Sequence, residues 1–304
     1  MVRTLSKLAI VLAGAVCAPA SAFTVFACEP EWAALTRVLM PDATVHTATH
    51  SRQDPHHIEA RPALIAQLRS ADLAVCTGAS LESGWLPALQ QRAGNAKVQD
   101  GAQGMFYAAS QVELIDAQPG AGGNPFAGDI HAEGNPHVHA DPRNLVKISS
   151  RLAERLQTLV PAEAQQIRQR QSQFETAWSQ RIGEWEKRAA PLRGQMVAAQ
   201  HTAFGYLWKW LGLKQIADLE PKPGMAPTPG HLQGLLSILQ AQPPLAIVTA
   251  GYQDQRAGRW LVSQLDSKVP LISLPATVDD ERTPDALAQW YEQLINSLMK
   301  AKTR

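Results

Sequence analysis

Cysteine is scarce in this chain, with three in 304 residues. Cys17 lies in an N-terminal stretch that reads as a removable leader, so the rest of the chain keeps only Cys28 and Cys76. Their spacing is not CxxC-like, which argues against a two-cysteine metal site. An excess of charge is missing as well. Lys and Arg number 28 against 27 Asp and Glu, a net charge of +1, so nothing favours a polyanionic partner such as nucleic acid. His-Glu-x-x-His and Gly-x-Ser-x-Gly do not occur, which removes the usual sequence signs of a zinc protease or a serine hydrolase. No internal repeat stands out. At 45% hydrophobic and 18% charged residues, the composition is that of a globular protein, and 304 residues suffice for two domains.

The beginning of the chain has the pattern of an export signal. Arg3 and Lys7 form a basic start, Leu8 to Ala18 an apolar stretch, and Ala20-Ser21-Ala22 a small-residue cleavage site. The apolar stretch is short for a transmembrane helix. The expectation is a leader over residues 1–22 and a mature periplasmic chain from Phe23. In an oxidising compartment Cys28 and Cys76 are open to a disulfide. Each follows a short apolar run that reads as a parallel strand, which puts both near one sheet edge. The sequence leaves bridge and free thiols both open.

The fold class is α/β. Strand-like Phe23–Ala27, Ala43–Ala48 and Ala71–Val75 alternate with helical stretches at Glu31–Leu39 and Pro62–Arg69, a pattern of parallel sheet flanked by helices. Residues 116–135, rich in Gly, Pro, Ala and Asn, form a loop. Asp141 is the N-cap of a helix with Pro142 at its first position, and Leu145, Ile148, Leu152 and Leu156 make its apolar face. A longer helix begins near Pro161 and runs to about Arg188, with Ile167, Phe174, Trp178, Ile182 and Trp185 as a packing stripe. Beyond Pro191 the α/β rhythm resumes. The expected organisation is an N-terminal lobe over 23–158, a long rigid linking helix over 159–190 and a C-terminal lobe over 191–304.

Three segments carry the chemistry: Asp54-Pro55-His56-His57-Ile58-Glu59, Asn135-Pro136-His137-Val138-His139, and Gln200-His201-Thr202-Ala203-Phe204-Gly205. Each presents imidazole beside a Pro, a Gly or an element boundary. Imidazoles brought together from distant segments make a transition-metal site, and neutral His nitrogen suits zinc.

These segments resemble, in order and spacing, the ligand motifs of the metal-binding solute-binding proteins of zinc and manganese ABC importers. Gln53 to Pro62 resembles the first motif. Ala71-Asp72-Leu73-Ala74-Val75-Cys76-Thr77-Gly78-Ala79-Ser80-Leu81-Glu82, followed by Trp85-Leu86, resembles a further family segment. Asn135-Pro136-His137 with Asp141-Pro142-x-Asn144 resembles the second ligand motif, and His201 to Tyr206 with Leu211-Gly212-Leu213 the third. The resemblance covers nearly the whole mature chain and implies two lobes on a rigid helix with metal in the cleft. It matches His56, His137 and His201 to the ligands, with His57 as a possible alternate to His56. Histidine at the third position, where many manganese binders carry an acid, favours zinc. The family's usual fourth ligand, an Asp, aligns with Ala276. Asp279 is the expected fourth ligand, with Asp280 and water as alternatives.

Other polar residues have bland readings beside functional ones. Glu59 reads either as an outer partner of an imidazole or as a surface acid. Glu220 lines the cleft or pairs with a lysine. His131 and His139 are weak recruiting ligands or ordinary loop histidines, His46 and His50 are structural or exposed, and His231 belongs to a helix start. The expected function is zinc capture by a monomer and delivery to the membrane permease of an ABC importer. The chain is then not an enzyme, and Zn2+ is its cargo. The alternatives are a manganese or iron importer component, a free-standing periplasmic zinc chaperone and, last, a zinc hydrolase.

Overall fold

The computed structural model describes residues 22–117, 131–265 and 269–303. The expected leader, apart from Ala22, lies outside the described residues, as does most of the Gly/Pro loop.

Proline and capping chemistry start many of the helices. In the first half α1 (Pro30–Leu39) and α2 (Pro62–Ser70) each begin on a proline. There the missing N–H costs nothing and the fixed φ suits the helix. They are interleaved with β1 (Thr24–Ala27), β2 (Thr44–Thr47) and β3 (Leu73–Cys76). The short helix α3 (Leu86–Ala93) and the three-residue strand β4 (Met105–Tyr107) follow. All four strands are parallel in the order β2-β1-β3-β4.

Helix α4 (Pro142–Leu159) has the expected cap, with Asp141 accepting from Arg143 N. Its four expected face residues are all fully buried. A short 3-10 turn leads into α5 (Ala164–Ala189), 26 residues long, or roughly 39 Å at 1.5 Å per residue. The second half contains β5 (Met196–Ala199), α6 (Gly205–Leu211), β6 (Lys214–Asp218), α7 (Pro229–Ala241), β7 (Ile247–Ala250), α8 (Arg256–Gln264), β8 (Leu271–Leu274) and α9 (Ala286–Lys302). Its sheet is also all-parallel, in the order β6-β5-β7-β8. The two sheets therefore share one topology although the sequence shows no repeat.

In such sheets the strand order reverses beside the first strand, and ligands sit in the crevice at the carboxyl ends of the strands there. Cys28 and His201 stand near these ends, after β1 and β5 respectively. Cys28 and Cys76, one residue past β1 and at the last residue of β3, form a disulfide.

Helix α5 joins the halves by burial, not merely by connection. One apolar core runs from Val25 and Trp32, through Trp178 and Trp185 of α5, to Val248 and Leu294. Trp185 stacks on Tyr291 of α9, with ring centroids 5.2 Å apart, and Trp178 Nε1 donates to Pro142 O at 2.9 Å. A helix gripped from both sides resists wide hinge opening. Separate apolar clusters cover the outer faces of the two sheets.

The turn after β3 holds two buried carboxyl groups. Glu82 accepts from Thr77 N at 2.6 Å and from Gly78 N at 2.9 Å. Glu29 accepts from Thr77 Oγ1 at 2.9 Å. Burial pushes the Glu29 carboxyl well above its ordinary range, and the charge of neighbouring Glu82 adds to this. Burial also raises Glu82, to about 7, against the lowering effect of its backbone donors. Both groups hold protons more tightly folded than unfolded. Their contribution to stability is complete below the unfolded carboxylate range, near pH 4.3, and declines as pH rises towards 7. Glu29→Gln should flatten the fall in urea midpoint between pH 5 and pH 7.5. An unchanged slope would contradict this account.

Candidate metal centre

The three histidine segments converge on the crevice between the sheets. His56 follows β2 in a turn that its own sequence builds. Asp54 Oδ1 accepts from His56 N at 3.0 Å, an Asx turn, and from the ring Nδ1 at 2.7 Å. Trp85 Nε1 holds the turn from below by donating to Pro55 O at 2.9 Å. Gly84 packs so close that a Cβ there would lie 3.1 Å from His56 O.

His137 stands between β4 and α4. Asn135 organises this segment and ties it to the third. Its Oδ1 accepts from His137 N at 2.9 Å, and its Nδ2 donates to Thr202 O at 2.9 Å. Its carbonyl accepts from Tyr206 OH at 2.9 Å. Asn144 Nδ2 fixes the far side by donating to Val138 O at 2.9 Å.

His201 follows β5 in the left-handed region, with φ 69°. That conformation costs a non-glycine residue about 1–3 kcal/mol and persists only where its surroundings enforce it. Here Asp218 Oδ1 accepts from His201 N at 3.1 Å, and Glu220 Oε2 lies 3.0 Å from the ring Nδ1. Burial raises the Asp218 carboxyl, in part offset by the N–H groups of Glu220 and His201.

His56, His137 and His201 bring one ligand atom each within 4.8 Å of one another, and all three are buried. Their ring centroids are 5.4, 5.6 and 5.6 Å apart. With ring Nδ1 turned to Asp54 and to Glu220, Nε2 is the ring atom through which His56 and His201 could hold an ion. His137 Nε2 is buried with no hydrogen-bond partner among the described residues. Burial drives the His137 pKa well below its ordinary value, and the charges of His201, His56, His139 and His131 add to this. The ring is therefore neutral at neutral pH, the state a metal ligand needs.

The expected acid does not join this group. Asp279 is exposed and accepts from Ser51 Oγ at 2.6 Å, and Asp280 is exposed and pairs with Arg282. Ala276, at the family's usual Asp position, offers only its carbonyl, which lies 3.0 Å from His139 Nε2. The two residues after Val278 have passed the crevice and lie on the outer surface. His139 is not a loop histidine. It is buried, faces Glu31 at 3.1 Å and takes a bond from Tyr291 OH on its carbonyl. It thereby fastens the two halves together.

His131 lies beside His56. Its Nε2 lies 3.3 Å from His56 Nε2, with the rings 5.4 Å apart. Glu59 and His57 are exposed. The acid behind His56 is Asp54, which the Asp-Pro-His order signalled through its Asx turn. Burial pushes the Asp54 carboxyl up, but the bonds from His56 outweigh this and leave it below its usual value. Glu220 backs His201 and pairs with no lysine among the described residues. His231 Nε2 lies 2.8 Å from Asp218 O, and its backbone N–H donates to the Thr228 cap of α7 at 3.3 Å.

Comparison with known proteins places this geometry in context. The sequence matches the family described as zinc-uptake complex component A, periplasmic, over residues 25–301. It is 24% identical over 207 residues to the high-affinity zinc uptake system protein ZnuA of Yersinia pestis, covering 63% of this chain. The match spans 61% of that relative's length. A crystal structure of ZnuA superposes with a TM-score of 0.74 at 16% identity, covering 91% of this chain and 99% of the other. A zinc-bound deletion mutant of ZnuA gives 0.72 at 17% identity, covering 93% and 97%. At these identities the two structures establish a shared fold.

Proposed function

Because the chain belongs to the zinc-uptake component A family of periplasmic metal-binding proteins, we propose that it captures Zn2+ between its lobes and delivers it to the membrane permease of an ABC importer. The observation that carries this reading is the convergence of His56, His137 and His201 within 4.8 Å of one another. Asp54 and Glu220 sit behind two of the rings. Carboxylate–histidine pairs of this kind fix the tautomer and raise ligand basicity. No carboxylate belongs to the histidine group among the described residues. An all-nitrogen set favours zinc over manganese, which stands lowest in the affinity order of the divalent first-row ions.

His131 stands at the edge of this group as the candidate fourth ligand, beside His56 but outside the set whose ligand atoms all lie within 4.8 Å of one another. Two nitrogen ligands on a tetrahedral zinc with bonds of about 2.05 Å stand about 3.4 Å apart. His56 Nε2 and His131 Nε2 are separated by 3.3 Å, the spacing of two ligands of one ion. His131 is half-buried where His56, His137 and His201 are buried. Capture then needs loop ordering and small adjustments, since the shared core around α5 limits lobe rotation. Release requires the permease to favour a looser form of the site, because a partner shifts an equilibrium only by its differential affinity.

A hydrolytic site would need an acid near the ion to activate water. Asp54 and Glu220 are both taken up by imidazole nitrogens.

Cells lacking this protein should accumulate less zinc in chelator-limited medium, with manganese uptake unchanged. The wild-type gene should restore uptake and the His56→Ala/His137→Ala/His201→Ala variant should not. Full restoration by the triple variant would refute the proposal.

A further inference from the structure

Glu220 Oε2 links the His201 ring to the protein surface. Glu220 Oε2 lies 3.0 Å from His201 Nδ1 and accepts from Gly224 N at 2.8 Å. The Glu220 side chain is only 8% exposed. Gly224 stands in an exposed turn between Lys222 and Met225, and Met225 is 41% exposed. The brace is double, because Asp218 Oδ1 accepts from His201 N at 3.1 Å and from Glu220 N at 2.9 Å. These two carboxylates help hold the left-handed backbone of His201, φ 69°, a conformation that persists only where its surroundings enforce it.

We propose that Glu220 is a positioning residue that couples the His201 ring to the exposed turn 221–225, so that metal binding orders this turn and displacement of the turn loosens the metal. This rests on reading the histidine cluster as a metal site. The coupling runs both ways by linkage. An ion on Nε2 fixes the ring, the ring fixes the carboxylate, and the placed oxygen receives Gly224 N–H. A partner that engages Lys222 and Met225 pulls on the same oxygen and acts on the ion without touching it. The turn is well placed for this, because His231 and the Thr228 cap anchor its far end to Asp218 and α7.

The test is amide hydrogen exchange at Gly224, followed by NMR in the whole mature protein with and without zinc. It is paired with zinc affinity for the wild type, Glu220→Ala, Glu220→Gln and His201→Ala. In the wild type zinc should slow Gly224 exchange at least tenfold. Glu220→Ala should bind zinc about 10–100-fold more weakly, the usual cost of losing such a partner. At saturating zinc its Gly224 amide should no longer respond. Glu220→Gln keeps an acceptor oxygen and should recover part of the response. A wild-type Gly224 amide indifferent to zinc, or a Glu220→Ala protein with unchanged affinity and an intact response, would overturn the coupling. Undiminished zinc binding by His201→Ala would overturn the site reading instead, and the two failures are thus told apart.

Discussion

Replacing His56, His137 or His201 by alanine should each weaken zinc binding at least hundredfold, while the wild type binds one equivalent. The loss must exceed the about 10–100-fold typical of an outer-shell partner such as Asp54, because an atom bonded to the ion disappears. His137→Ala tests this most directly. Burial and four neighbouring imidazoles keep its ring neutral, so it gives up no proton on binding, and its Nε2 has no other partner among the described residues. His131→Ala should have the smaller effect, near tenfold, since water can take the place of a ring at the edge of the group. Affinity should drop as pH falls through the histidine range, because an imidazole must be neutral to bind a metal. Competitive titration of zinc against manganese, with circular dichroism to show that each variant is folded, decides the matter. Zinc affinity unchanged in His137→Ala, or manganese bound as tightly as zinc by the wild type, would sink the assignment.

Much of this could be read from the residues, for reasons that differ from place to place. Strong periodicity gave α4 and α5, because a buried stripe of Leu, Ile and Trp leaves a 3.6-residue signal that no loop interrupts. Strands β4 and β6 were not legible. β4 has three residues, and β6 is a half-polar edge strand, Lys-Gln-Ile-Ala-Asp, whose one buried residue is Ala217. Helix α3 was hidden between the turn after β3 and Gly94. At the site, the three histidines stood out because imidazole beside a proline or at an element boundary has few structural uses. The partners behind them were harder to see. Asp54 acts within its own turn, whereas Glu220 and His131 reach their histidines across 19 and 75 residues of chain. Asp279 lies outside the histidine group for the complementary reason. Sequence nearness to the family position says nothing of direction, and Asp279, three residues past Ala276, turns its carboxylate to Ser51.

The largest effect on stability should come from the Cys28–Cys76 disulfide. It closes a loop with a sequence separation of 48 residues. In the chain-entropy account a loop of that length limits the unfolded state by about 4 kcal/mol. Both sulfurs are fully buried in the cluster on the outer face of the first sheet, so their loss also removes packing. The enclosed stretch contains β2, α2 and the His56 turn, which means that the bridge limits the freedom of one candidate ligand before the ion arrives. Cys28→Ala/Cys76→Ala should lower the thermal midpoint of the metal-free protein by roughly 10 °C, taking about 2–4 °C per kcal/mol for a protein of this size. Zinc should recover part of the loss, since a ligand that binds only the folded state stabilises it by mass action. Serine in place of alanine should do worse, because it buries two hydroxyls in an apolar cluster. Calorimetry of the wild type and both double variants, with and without zinc, measures each term. A midpoint shift below about 2 °C would mean that the parallel pairing of β1 with β3 already fixes this edge of the sheet, and that the bridge adds little beyond it.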